Sequence, residues 1–89
     1  MATMTTDALI AQYIEANPMR PGVDEARIVG TGVPVWALVA DSEIAKVPVV
    51  TLAADYKISP DAVRAALAYY QQHKAAFDAR LAANDAPVL

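Results

Sequence analysis

"KISPDAVRAAL", residues 57–67, carries the strongest structural constraint in the chain. Ser59 is a good N-cap, and Pro60 suits the first helical position because its missing N–H would find no partner there. Asp61 complements the positive end of the helix dipole. A helix therefore starts here. Just upstream, Leu52, Ala53 and Tyr56 give a shorter helix an inward face, with Pro48 at its start and Lys57-Ile58 as the turn. A short helix, a tight turn and a longer helix make the spacing of a DNA-reading helix-turn-helix.

No breaker follows Pro60 until Asn84, so the pattern predicts one long helix between them. Val63, Leu67, Tyr70, Phe77 and Leu81 form its apolar stripe. The portion beyond Tyr70 projects past a three-helix core, which makes Phe77 and Leu81 the expected contact with another protein.

The N-terminal third reads differently. Thr6 can cap a helix from Asp7 to about Asn17, with Leu9, Ile10, Tyr13 and Ile14 on one face. Pro18 then ends it, and "NPMRPGVDEA" is a linker with two prolines and a glycine. Residues 1–26 are thus expected to be a helical arm and linker, frayed over 1–5, with the main domain at 27–84 and a loose tail at 85–89. Arg27, Ile28 and Val29 make a short strand, broken by Gly30-Thr31-Gly32. Pro34 opens a short buried helix carrying Val35, Trp36, Leu38 and Val39.

That strand has no local hairpin partner, so it is expected to pair with the same strand of a second copy. Ile28, Val29 and Trp36 would then lie at the interface of a homodimer. Size points the same way. A chain of 89 residues builds only a modest core, and much of its 56% hydrophobic content is alanine, which buries little area.

Chemistry has little to work with. His73 is the lone histidine, on a polar helix edge where solvation is its ordinary state. The carboxylate pairs Asp24-Glu25 and Asp41/Glu43 have no His or Cys beside them, so they do not resemble a metal site. "GTG" at 30–32 is shorter than a phosphate-cradling loop and lacks its lysine. With no cysteine, disulfides and thiolate metal sites are excluded. The expectation is no enzyme, no cofactor and no metal. No apolar run is long enough to cross a membrane, and no basic region followed by an apolar stretch opens the chain, so the cytoplasm is the expected location.

A net charge of −3 argues against nonspecific binding of polyanions, because phosphate neutralisation supplies most of that affinity. Specific reading is a separate matter. The outward positions of the second helix are Ser59, Pro60, Asp61, Arg64, Ala65 and Ala68. Arg64 can fork onto a guanine edge, and Lys57 in the turn can hold a phosphate. The DNA-contacting residues would be Lys57, Ser59 and Arg64. The same helices also serve a packed pair with a solvated outer face, and residues 48–72 are electrically balanced. Both readings stand at this point.

"RIVGTGVPVWALVA" and "VVTLAADYKISPDAVRAALAYYQQHKAAFDARL" together resemble domain-of-unknown-function family 433, over roughly Arg27 to Asn84. Gly30, Thr31, Val33, Pro34 and Val35 match its "GTRIPV" element, and Asp55 and Tyr56 its acidic-tyrosine turn. Val63, Ala66, Leu67, Tyr69, Tyr70, His73, Asp78 and Leu81 match the rest. Gly32 departs from the pattern by standing where the family usually has arginine. The resemblance implies a mainly α fold: a homeodomain-like three-helix helix-turn-helix core, a short N-terminal dimerising strand and a long C-terminal helix. It also implies an antitoxin-like (VapB-type) role, in which a homodimer binds operator DNA and a cognate toxin. The alternative is a dimeric helical adaptor that binds protein and no DNA.

Overall fold

The computed structural model describes residues 5–85, so residues 1–4 of the expected frayed end and 86–89 of the expected tail lie outside it. The chain is mainly helical. In order it forms α1 (Thr6–Tyr13), β1 (Ile14–Glu15), a 3-10 turn (Val23–Glu25), β2 (Arg27–Ile28), α2 (Val35–Glu43), α3 (Val49–Tyr56), α4 (Pro60–Gln72) and α5 (Lys74–Asp85). Among the described residues, no helix is long and apolar enough to cross a membrane.

The boundary read from "KISPD" is present in detail. The Ser59 side chain accepts from the Ala62 N–H at 3.1 Å, and Pro60 opens α4. Lys57 caps α3 in the left-handed conformation (φ 57°), and its N–H bonds to Ala53 and Ala54 carbonyls. Removing the cap leaves an orphan N–H at the helix start, so Ser59→Ala should cost about 1 kcal/mol in a urea titration. An unchanged midpoint would show that water replaces the hydroxyl without loss.

Packing of α2, α3 and α4 makes the core, with Val35, Leu38, Val39, Leu52, Val63 and Ala66 buried in it. Pro34 and Pro48 stand one position earlier than expected, as N-caps of α2 and α3 rather than in their first turns. The Tyr56 hydroxyl reaches back from α3 to donate to Asp41 of α2 at 2.7 Å. That bond, with burial second, pushes the Tyr56 phenol up to about 12.

The N-terminal segment departs from expectation. Thr5, not Thr6, caps α1, and the helix stops at Tyr13 rather than near Asn17. Ile14 leaves the helix because it pairs in extended form: β1 and β2 are antiparallel, with Ile14 opposite Ile28 and Glu15 opposite Arg27. The Val29 N–H also donates to the Tyr13 carbonyl at 2.8 Å, and Arg27 Nε meets Glu15 at 2.7 Å. The opposite edge of β2 is taken as well. Gly30 and Gly32, both left-handed (φ 85° and 73°), fold the chain back so that Ile28 N–H bonds to Val33 and Val35 N–H to Ala26. With both edges occupied within one chain, β2 offers no ladder to a second copy.

The long C-terminal helix is also corrected. It breaks at His73 (φ −131°, ψ 35°), whose N–H bonds to the carbonyls of Tyr69 and Tyr70. The break redirects α5 onto the domain, where it packs against α2, α4 and the 3-10 turn. No proline or glycine causes it. Beyond the break Phe77 joins the core.

Candidate nucleic-acid interface

The expected DNA-contacting residues meet at the exposed junction of α3 and α4. The three residues 57–59 connect the helices, and Lys57, Ser59, Pro60, Asp61 and Arg64 are all exposed around the first turns of α4. Arg64 Nη1 bonds to Asp61 Oδ1 at 3.0 Å, with 54% of the arginine side chain still exposed. An exposed pair of this kind contributes only ~0–1 kcal/mol, so exchanging Asp61 for a base edge costs Arg64 little.

The rest of the expected outward face is not free. Ala65 is fully buried, and Ala68 is half-buried. Ala65, Tyr69 and Gln72 share one stripe of α4, and α1 lies along it. Asp7 of α1 accepts from Gln72 at 3.2 Å, while Ile10 and Ile14 flank Tyr69 across an open cavity of about 350 Å³. Burial pushes the Tyr69 phenol upward, and Asp24 adds to the effect. The arm thus covers one side of the helix that a DNA reader would present.

The residues assigned to a dimer interface are spent within the chain. Ile28 is buried between β1 and the core. Trp36 is half-buried, its ring under the Arg80 guanidinium at 4.8 Å. Only Val29 keeps substantial exposure, at 43%.

The partner-binding pair is corrected in the same way. Phe77 is fully buried and meets Tyr69 and Tyr70 edge-on, at ring-centroid distances of 5.9 and 6.0 Å. Leu81 is half-buried against the same cluster. Their apolar edge is satisfied by the chain's own aromatic residues, because the break at His73 turns it inward.

Two polar nodes were not visible in the sequence. Arg80 joins α5 to the 3-10 turn, bonding the Asp24 carbonyl at 3.3 Å, the Asp24 carboxylate at 3.4 Å and the Glu25 carboxylate. Its partners lie more than fifty residues away, and no local spacing signals that pairing. The second node is at the start of α5. Tyr70 donates to Asp78 at 2.7 Å, and Lys74 bonds the other Asp78 oxygen at 2.6 Å. Lys74, then Tyr70, hold the Asp78 carboxyl below its ordinary range, and Asp78 with burial pushes the Tyr70 phenol up. His73, read as a solvated surface residue, is half-buried with its ring 4.6 Å from that of Tyr69. Among the described residues, no group of His, Cys, Asp or Glu is placed to hold a metal ion.

These features define a small α-helical domain built on a capped helix pair, with an arm and a C-terminal helix folded onto it. Residues 24–70 match the family described as protein of unknown function (DUF433). That is just over half of the 89 residues, and the chain belongs to this family. The match runs from the 3-10 turn to near the end of α4, so it stops short of Asn84 and leaves α1, β1 and α5 outside. No curated protein matches the chain, and neither does any solved structure.

Proposed function

We propose that α2, α3 and α4 form a homeodomain-like helix-turn-helix core, and that the chain is an antitoxin-like protein that binds operator DNA. The observation that carries this reading is the α3–α4 junction, where Lys57 and Arg64 are both exposed beside the N-terminal turn of α4. In such proteins the start of the second helix meets base edges in the major groove. Arg64 is the one base-reading cation there, and Lys57 is placed for a phosphate. Capture of a toxin encoded beside the gene rests on the family resemblance alone, since Phe77 and Leu81 are occupied.

The test is a titration of the protein on double-stranded DNA from immediately upstream of its coding sequence, repeated at several salt concentrations. Arg64→Ala should cost about 1–3 kcal/mol and relax sequence preference. Lys57→Ala should weaken all sequences evenly and reduce the salt slope by about one. The wild-type slope itself should be shallow, because so few cations face the DNA. Absence of binding at low salt would reject the DNA reading.

One observation favours a second reading, a protein-interaction adaptor. Ile44 at the end of α2 and Val50 in the first turn of α3 are 64% and 70% exposed. Neither side chain is covered among the described residues, and a protein surface would cover them.

A further inference from the structure

The face of α4 that α1 covers overlaps the face that a major groove would have to receive. Groove-reading positions recur at i, i+3, i+4 and i+7, which from Asp61 are Arg64, Ala65 and Ala68. Ala65 is buried and Ala68 is half-buried on the side where α1 lies. The major groove is about 12 Å wide and an α-helix with its side chains is about 10–12 Å across, so one helix fits and two side by side do not.

α1 packs along α4 through half-buried side chains: none of its eight residues is fully buried, and a helix of that length has little stability of its own in water. Among the described residues its polar tie to α4 is the exposed Asp7–Gln72 hydrogen bond, and an open cavity of about 350 Å³ lies between α1, β1, the Gly22–Val23 turn and Tyr69. The change from helix to extended backbone at Tyr13–Ile14 marks a natural pivot, because β1 is anchored independently by β2 and by the Glu15–Arg27 ion pair.

We infer that α1 is an autoinhibitory cover: it lifts from α4 about the Tyr13–Ile14 junction, with β1 staying paired, to admit DNA to the Arg64–Ala68 face. The inference rests on the DNA-binding reading and adds its regulation. Closed α1 and bound DNA exclude one another, so DNA binding pays the cost of opening the arm. If α1 is closed nine-tenths of the time, releasing it should tighten binding about tenfold.

The experiment compares the full-length wild type with the double variant Asp7→Ala/Ile10→Asp, using double-stranded DNA from upstream of the coding sequence. Amide hydrogen exchange is followed in both with and without DNA. The expected result is roughly tenfold tighter binding by the variant, with fast exchange at Leu9 to Tyr13 and α4 still protected. In the wild type, adding DNA should strip protection from the same α1 amides, a measurement that needs no variant to fold. Equal affinities with α1 shown to be released, or α1 amides that stay protected on DNA, would overturn the cover while leaving DNA binding intact. No binding by either chain would overturn both.

Discussion

Phe77→Ala is expected to destabilise the protein by about 3–5 kcal/mol, a large part of the ~5–15 kcal/mol that holds a domain of this size together. The side chain is fully buried and lies edge-on to Tyr69 and Tyr70, so truncation removes apolar burial and two aromatic contacts at once. The rings around it are fixed in α4 and cannot close the cavity without disturbing the break at His73. A urea titration followed by circular dichroism measures the loss, and α5 should lose its amide protection first. A cost below about 1 kcal/mol would mean that Phe77 faces a partner rather than the core, as the simple helical stripe implied.

Arg80→Ala is the second large effect, expected at about 1–3 kcal/mol. Arg80 bridges α5 to the 3-10 turn, and its guanidinium also covers the Trp36 ring. Without it, Asp24 and Glu25 lose their shared cation and Trp36 gains solvent. The estimate is discounted from that of a fully buried pair because the arginine and its acidic partners are 19–32% exposed. Arg80→Lys should recover only part of the loss: one nitrogen, Nη1, makes the contacts to both acids and an ammonium can replace it, but the planar cation beside the Trp36 ring is gone. The denaturation midpoint and the Trp36 fluorescence should shift together. A midpoint within experimental error of wild type would show that the bridge adds nothing net to folding. Such a result is physically reasonable, because Arg80 Nε is buried without a partner among the described residues, and that costs energy.

The two variants bear on function from opposite sides. Both act on α5, which lies outside the part of the chain shared with the family. If α5 serves only to complete the core, DNA binding by α4 should weaken no more than the loss of folded protein accounts for. The arm sets a different control. It touches the candidate recognition helix directly, so changes in α1 should alter affinity without altering the stability of the three packed helices.

What the sequence determined by itself was local. Ser59, Pro60 and Asp61 place the start of α4 because a cap, a ring and a charge act within one turn of the helix they begin. Gly30 and Gly32 mark their turn because the left-handed backbone there favours a residue without Cβ. The inward faces of α2, α3 and α4 were equally legible, since helical periodicity needs no knowledge of what lies opposite. Tertiary structure decided the rest. Ile14 fits a helical stripe and belongs to a strand because Ile28, fourteen positions away in sequence, offers it a ladder partner. The helix predicted to pass through His73 breaks there, and beyond the break Phe77 is buried against residues from the other helices. Ala65 looks outward on its own helix and is buried, on a helix that α1 packs against. Arg80 finds Asp24 and Glu25 across more than fifty residues. Caps and periodicities are energies of neighbours along the chain. Strand partners, helix breaks and covered faces are energies of neighbours in space, which exist only once the chain has folded.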